Sequence, residues 1–221
     1  MTHNICISKY KTFDYVVNVS QGCKKIFDEI VPEYKYKSKV VTNMLDLNRI
    51  SLRKSEKSPY DCDCFNIVTV ARIENRQKRI DRIIDVCEML KKSGIEDFKW
   101  TIVGDGEDLQ TLIESAKSRN LLNYINFVGR KANTIPYMQY ADLFVQTSDY
   151  EAYSMVLIEA LSVGCPCVVT NYDSADNIIT NGENGWIVNR EPKAICEKVS
   201  ELINQPELLF STRKKCIQSC E

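Results

Sequence analysis

From Phe65 onward the chain alternates short apolar runs with stretches of helical spacing, and no other feature narrows its fold as much. FNIVTV (65–70), WTIVG (100–104), INFVG (125–129), LFVQ (143–146), CVVT (167–170) and WIV (186–188) each read as a strand. Between the first two, Ile80, Ile83, Ile84, Cys87 and Leu90 recur at helical spacing, and Gly94 follows as a stop. Leu109, Leu112, Ile113 and Ala116 mark a second helix, residues 135–140 a short third, residues 155–161 an apolar fourth and residues 193–203 a fifth. A final helix starts at Pro206. Strands that alternate with helices pair in parallel through right-handed crossovers. Their unbroken apolar character means that both sheet faces are covered. The expectation is an α/β fold: a doubly wound, Rossmann-like parallel sheet of about six strands.

Residues 1–50 break this pattern. YVVNVS (15–20) and SKVVTN (38–43) are strand-like and flank a helical stretch at 23–30. Two strands and a helix make too small a core to stand alone. This segment therefore reads as the remnant of another domain. SLRKSEKSPYDCDC (51–64) is polar and charged and reads as a linker, leaving 65–221 as the main domain.

With 221 residues, 44% of them hydrophobic, the chain can bury a sizeable core. A net charge of -1 gives no electrostatic footprint for nucleic acid. Ten cysteines follow a start, MTHNICISKYKTFDYVV, that lacks an apolar core of signal length. No run approaches the roughly 18 apolar residues of a membrane span. These points lead to the expectation of a cytoplasmic protein, with at most peripheral contact at the inner membrane surface. Cys62-x-Cys64 and Cys165-x-Cys167 are candidate metal pairs, but His3 is the only histidine and zinc spacing is absent.

Ligands of such a sheet bind beyond the carboxyl ends of its strands, where loop amides and helix dipoles converge. After the first strand, Arg72 and Lys78 can point at one phosphate pair, although a solvated charged loop has the same composition. After the second, Gly104-Asp105-Gly106 permits a tight turn and close ligand approach. Gly129-Arg130 follows the third. After the fourth comes Glu151-Ala-Tyr-Ser-Met-Val-Leu-Ile-Glu159. Ser154 is a good N-cap, which leaves the amides of Met155 and Val156 pointing off the sheet edge. Glu159 sits among Val156, Leu157, Ile158, Ala160 and Leu161. A carboxylate there is costly to bury without a donor, and an exposed helix stripe is the competing reading.

Residues 65–190 resemble the C-terminal domain of retaining family-4 glycosyltransferases, which consist of two facing Rossmann-like domains. The resemblance rests on Val70-Ala71-Arg72 with Lys78 and Asp81, Ile102-Val103-Gly104-Asp105-Gly106 and Phe127-Val128-Gly129. It continues through Ala141-Asp142-Leu143-Phe144-Val145, Glu151-x7-Glu159, Gly164-x-Pro166 and Gly182-Glu183-Asn184-Gly185. Residues 14–48 resemble the end of that family's N-terminal domain. The resemblance implies a chain that moves a hexose from a UDP or GDP sugar to a polysaccharide or glycolipid acceptor with retention. Arg72 and Lys78 would neutralise the donor diphosphate, and Glu151 would hydrogen-bond the transferred sugar. The amides of Ser154, Met155 and Val156 would hold the distal phosphate. Glu159 would take the ribose hydroxyls, backbone near Gly129 and Arg130 would receive the base, and Gly104 would belong to the donor-binding set. No metal or other cofactor is implied, because the cations stand in its place.

Departures from the family pattern accompany the match. Ala152 replaces a usual glycine, and Arg72 and Lys78 are one residue further apart than is commonest, so that loop is expected to bulge. The family's N-terminal glycine-rich loop and histidine have no counterpart, since His3 lies too close to the domain's last strands. A truncated or split enzyme is therefore expected, the acceptor half belonging in the split case to a separate N-terminal-domain chain as partner. The alternative is a non-catalytic donor-binding subunit. An epimerase or phosphorylase of similar fold is a third reading, and a nicotinamide dehydrogenase is disfavoured because no GxGxxG follows the first strand.

Overall fold

The computed structural model describes residues 7–55 and 57–220, so His3 lies outside the described residues. The chain divides after Met44 into two compact units. In the first, Val16–Asn18 (β1) and Ser38–Val40 (β2) form a two-stranded parallel ladder, connected through the helix Gln21–Ile30 (α1). Ser20 starts that helix: its Oγ accepts the Cys23 amide at 3.2 Å, the ordinary N-cap bond.

The second unit contains a six-stranded parallel sheet ordered β5-β4-β3-β6-β7-β8. Its strands are Phe65–Val70 (β3), Phe98–Val103 (β4), Ile125–Gly129 (β5), Leu143–Gln146 (β6), Cys167–Thr170 (β7) and Gly185–Val188 (β8). Each matches a run read from sequence to within two residues. Among the described residues seven α-helices cover the sheet: Leu47–Arg53 (α2), Asp81–Lys92 (α3), Leu109–Ser118 (α4), Ile135–Tyr140 (α5), Met155–Ser162 (α6), Pro192–Asn204 (α7) and Pro206–Gln218 (α8).

Both sheet faces are buried, as the continuous apolar strands require. One core joins Ile83, Cys87 and Leu90 of α3 and Leu112 of α4 to Ile195 and Val199 of α7, over Ile67, Trp100 and Ile102. The other joins Ile50 of α2, Met138 of α5 and Leu157 and Leu161 of α6 to Cys216 of α8, over Val68, Phe144 and Val169. Trp100 is fully buried, and its Nε1 donates to Thr69 Oγ1 at 3.0 Å. Thr69 Oγ1 in turn donates to the Val145 carbonyl at 2.7 Å, which ties β4, β3 and β6 together beyond their ladder bonds.

The segment 51–64 is not wholly a linker. Its first three residues end α2, which Asp46 caps by accepting the Arg49 amide at 3.0 Å. Ile50, at 4% exposure, belongs to the second core, so the helix belongs with the main unit. Further on, Ser55 exchanges hydrogen bonds with Gln139 and accepts one from Tyr140, and Tyr60 donates its hydroxyl to the Tyr137 carbonyl. Polar composition reads as linker, but here the polar groups satisfy α5. Cys62 and Cys64, a candidate metal pair, are joined to each other in a disulfide, so neither sulfur is a free thiolate ligand. Cys165 and Cys167 are buried thiols whose Sγ atoms face backbone carbonyls, and desolvation holds both thiol pKa values above the ordinary range. Among the described residues no helix is long and apolar enough to cross a membrane.

Candidate functional site

The strand order reverses direction at β3. The chain runs from β3 outward to β4 and β5, then returns to place β6 on the other side. Loops leaving β3 and β6 at their carboxyl ends part there, which opens a crevice. A cleft of about 1010 Å³ occupies it. Arg72, Lys78, Gly104, Arg130, Glu151, Ser154, Met155, Val156 and Glu159 all line this cleft. Gly129, also expected there, is not a wall residue. Its φ of 70° turns the chain toward Arg130, and its carbonyl accepts the Gly104 amide at 3.0 Å, so it shapes the floor from beneath.

The floor depends on backbone approaching backbone. The Ala71 amide donates to Val103 and the Ile73 amide to Asp105, extending the β3–β4 ladder into the two loops. A Cβ on Gly104 would lie 1.8 Å from the Ala71 carbonyl oxygen, and one on Gly106 2.1 Å from that of Ile73. Only glycine lets the loops meet so closely.

The longer spacing of Arg72 and Lys78 is absorbed locally. The Lys78 amide reaches the Glu74 carbonyl at 2.9 Å, closing a turn, and Arg79 then takes a left-handed φ of 51°. Arg79 is held there by Asp81 and Asp149. Arg72 projects with a side chain 66% exposed, and among the described residues its guanidinium pairs with Glu74, at 3.4 Å. Lys78 is largely buried, and its Nζ lies 2.6 Å from Glu151 Oε1. The same oxygen accepts Ser148 Oγ at 2.7 Å and Gln146 Nε2 at 3.0 Å. The two expected roles, a phosphate cation and a sugar-binding carboxylate, therefore fall on an ion pair.

That pair is stapled from below. Arg82 donates to the Thr147 carbonyl at 2.7 Å and to Asp149 at 2.6 Å. The Asp149 amide donates to the Gln77 carbonyl, and Thr147 Oγ1 to that of Lys78. Burial acts to raise the Asp149 pKa, but hydrogen bonds from Arg82 and then Arg79 outweigh it and hold the carboxyl below its usual range. These contacts fix the loop after β6 against the start of α3, and with it the separation of Lys78 and Glu151.

At the start of α6 one expectation is corrected. Ser154 occupies the N-cap position, with φ −83° and ψ 97°, yet its side chain makes no cap bond. Its hydroxyl instead accepts from Gln146 Nε2 at 3.0 Å. The first amides of α6 have no intrahelical acceptor and face the cleft, a ready anion site. Along the same wall Glu159 is half-buried, and among the described residues its carboxylate has no hydrogen-bond or ion-pair partner. Desolvation raises its pKa, against the more distant charges of Arg53 and Arg49. A carboxylate left in this condition beside a cleft is an acceptor waiting for donors.

Gln146, Gln77, Lys131, Thr134, Arg82 and Asp149 were not singled out in the sequence. A glutamine ending the otherwise apolar run LFVQ was a signal for the first; the others sit in polar loops, where nothing local distinguishes them. Among the described residues no group of three or more His, Cys, Asp or Glu side chains gathers as a metal site.

Comparison with known proteins bears on the family and the fold of the chain. The family model described as "Glycosyl transferases group 1" matches residues 53–220, more than half of the chain. The chain is 26% identical over 133 residues to N-acetyl-alpha-D-glucosaminyl L-malate synthase of Bacillus anthracis, covering 59% of this chain and 35% of that protein. It is 30% identical over 155 residues to alpha-monoglucosyldiacylglycerol synthase of Acholeplasma laidlawii, covering 69% and 38%. The chain thus spans little more than a third of the length of these relatives. In fold it is similar to Anabaena HepE, solved in complex with UDP, with a TM-score of 0.82 at 20% identity over 98% of this chain and 64% of that one.

Proposed function

The chain belongs to the group 1 glycosyltransferases, and from that premise we propose that it is the donor-binding half of an enzyme moving a hexose from a UDP or GDP sugar to a glycan or lipid-linked acceptor with retention. The observation that carries this reading is one of geometry. Lys78, the free amides at the start of α6 and the unpartnered Glu159 converge on one cleft at the switch point of the sheet.

The chemistry follows from charge. Breaking the sugar–phosphate bond builds negative charge on the departing nucleoside diphosphate, and fixed cations and amides that meet it lower the barrier. Lys78 and Arg72 stand at one side of that position and the α6 amides at the other. These groups do the work a divalent ion would do, so no metal or other cofactor is called for. Glu151 accepts a hydroxyl of the transferred sugar while Lys78 turns toward the phosphate. Glu159 accepts the two ribose hydroxyls. Arg130, Lys131 and Thr134 line the same cleft and would receive the base. The acceptor side belongs to a complementary domain. Because this chain spans about a third of its curated relatives, full transfer is proposed to need that half, contributed by a partner chain if not by the same one.

Calorimetry with UDP and UDP-glucose, and with GDP and GDP-mannose, is expected to give binding to one pair and little turnover by the chain alone. Binding to neither pair would end the donor reading. Efficient transfer by the isolated chain would end the requirement for a second half.

Glu159→Ala is expected to weaken nucleotide binding about tenfold, the loss of charge-assisted hydrogen bonds worth roughly 1.5–3 kcal/mol. The same carboxylate sets a pH dependence. Its pKa is raised in the free protein, so on acidification it is protonated earlier than an ordinary glutamate, and a protonated acid is the poorer acceptor of a diol. Nucleotide affinity should therefore be present above the raised pKa and decline as pH falls through it. The free fold behaves oppositely, losing a desolvation cost on protonation. Titrations repeated on Glu159→Gln should lack this part of the pH dependence, and identical profiles for the two proteins would reject the ribose role.

A further inference from the structure

Gln146 is the last residue of β6, at 4% exposure, and its amide contacts three groups that belong to different parts of the cleft. Oε1 accepts the Tyr172 hydroxyl at 3.0 Å. Nε2 donates to Glu151 Oε1 and to Ser154 Oγ, both at 3.0 Å. Tyr172 is itself buried at 3% exposure, and burial first, then the Glu151 charge, raises its phenol pKa, so the hydroxyl remains a donor. The Glu151 carboxylate, which can only accept, dictates that the Gln146 nitrogen faces the cleft, and the Tyr172 hydroxyl then anchors the amide oxygen on the other side.

The bond to Ser154 has a consequence for α6. Serine at an N-cap normally turns its hydroxyl back onto an amide of the first turn. Ser20 does so at the start of α1, and the aspartate Asp46 does so at the start of α2. Ser154 has the extended backbone of an N-cap but makes no such bond, and its hydroxyl is engaged by Gln146 instead. The first-turn amides of α6 are thereby left for an anion. The bond to Glu151 acts at the opposite end of the ligand, helping Ser148 and Lys78 hold the carboxylate in place.

We propose that Gln146 is a positioning residue that sets both ends of the donor site at once, keeping Ser154 from capping α6 at the phosphate end and holding Glu151 at the sugar end. The proposal rests on the donor-site reading above.

Gln146→Met keeps the side-chain length and removes all three hydrogen bonds. With Ser154 released to cap its own helix, affinity for the nucleoside diphosphate is expected to fall about fivefold, the order of one competing cap bond. With Glu151 unheld, the preference for the nucleotide sugar over the nucleotide is expected to fall about tenfold further. Adding Ser154→Ala removes the hydroxyl that can cap. Nucleoside-diphosphate affinity should then recover to within about twofold of the unaltered chain, while the sugar preference stays low. The measurements are calorimetric titrations of UDP and UDP-glucose, or of GDP and GDP-mannose if that pair binds, with a thermal melt of each variant. A merely structural role predicts both ligands weakening in proportion, with no recovery in the double variant, and that result overturns the proposal. Unchanged affinities in Gln146→Met overturn it equally. If Gln146→Met does not fold, Tyr172→Phe removes only the hydroxyl that anchors the amide oxygen, and it should lower the sugar preference about threefold, whereas no change overturns the proposal. Binding of neither pair by the unaltered chain would sink the donor site itself, a failure recognisable before any variant is made.

Discussion

Replacing Lys78 by alanine is expected to slow breakdown of the nucleotide sugar by two to three orders of magnitude, roughly the cost of removing one preorganised group that stabilises transition-state charge. The expectation is larger for Lys78 than for Arg72 because of burial. Lys78 is 17% exposed and stapled through the carbonyl bond from Thr147, whereas Arg72 is 66% exposed and screened by water. Removing Lys78 also strips Glu151, itself 7% exposed, of its cation, leaving Ser148, Gln146 and the longer Gln77 contact as donors. Both the phosphate end and the sugar end of the site then suffer. Ground-state nucleotide binding should fall much less, since the α6 amides and Glu159 persist. Donor hydrolysis followed by release of free nucleoside diphosphate gives the rate, and calorimetry gives the binding. Lys78→Ala that retained a tenth or more of the rate would remove Lys78 from the chemistry.

Gly104→Ala should produce the largest loss of stability from a single methyl group. The new Cβ would lie 1.8 Å from the Ala71 carbonyl oxygen, and the φ of 154° at this position disfavours any side chain. Neither backbone is free to yield. The Ala71 amide is bonded to Val103 at 3.1 Å and the Ile73 amide to Asp105 at 2.9 Å, with Gly104 tied to Gly129 on its other side. Overpacking and backbone strain together cost about 2–4 kcal/mol. For a chain of this size that corresponds to roughly 4–16 °C in Tm. Nucleotide affinity should fall as well, because the displaced loops form the cleft floor. Gly182→Ala is the control. Gly182 has a φ of 81° but open space around its would-be Cβ, so it should show only the left-handed backbone penalty, about 1–2 kcal/mol. Thermal melts of the two variants test the difference, and equal Tm values would show that close approach at Gly104 carries no cost.

Much of this was legible in the residues because it depends on short-range rules. Strand runs such as FNIVTV and CVVT are apolar on both faces, and helices such as Asp81–Lys92 repeat their apolar residues every turn, so their order along the chain already implied a parallel, doubly covered sheet. Gly104 stood out because the end of a strand followed by glycine is a statement about local backbone. Glu159 stood out because a carboxylate among five apolar neighbours is anomalous wherever the helix lies. The helix Leu47–Arg53 was missed for the converse reason: seven residues with one deeply buried side chain carry too little periodicity to separate a helix from a polar connection.

What the amino-acid sequence determined alone was the kind of sheet, the glycine turns and the set of groups available at its carboxyl edge. Which of those groups touch was decided only when the chain reversed direction at β3. That reversal brings Lys78 to Glu151 across 73 residues, Gln77 to Tyr150 across 73, and Arg82 to Asp149 across 67. No local pattern encodes such pairs, because their distances depend on strand order and on packing of both cores. Tertiary packing likewise gave Gln146 the hydroxyl of Ser154, so a helix start with ordinary capping chemistry became an open one.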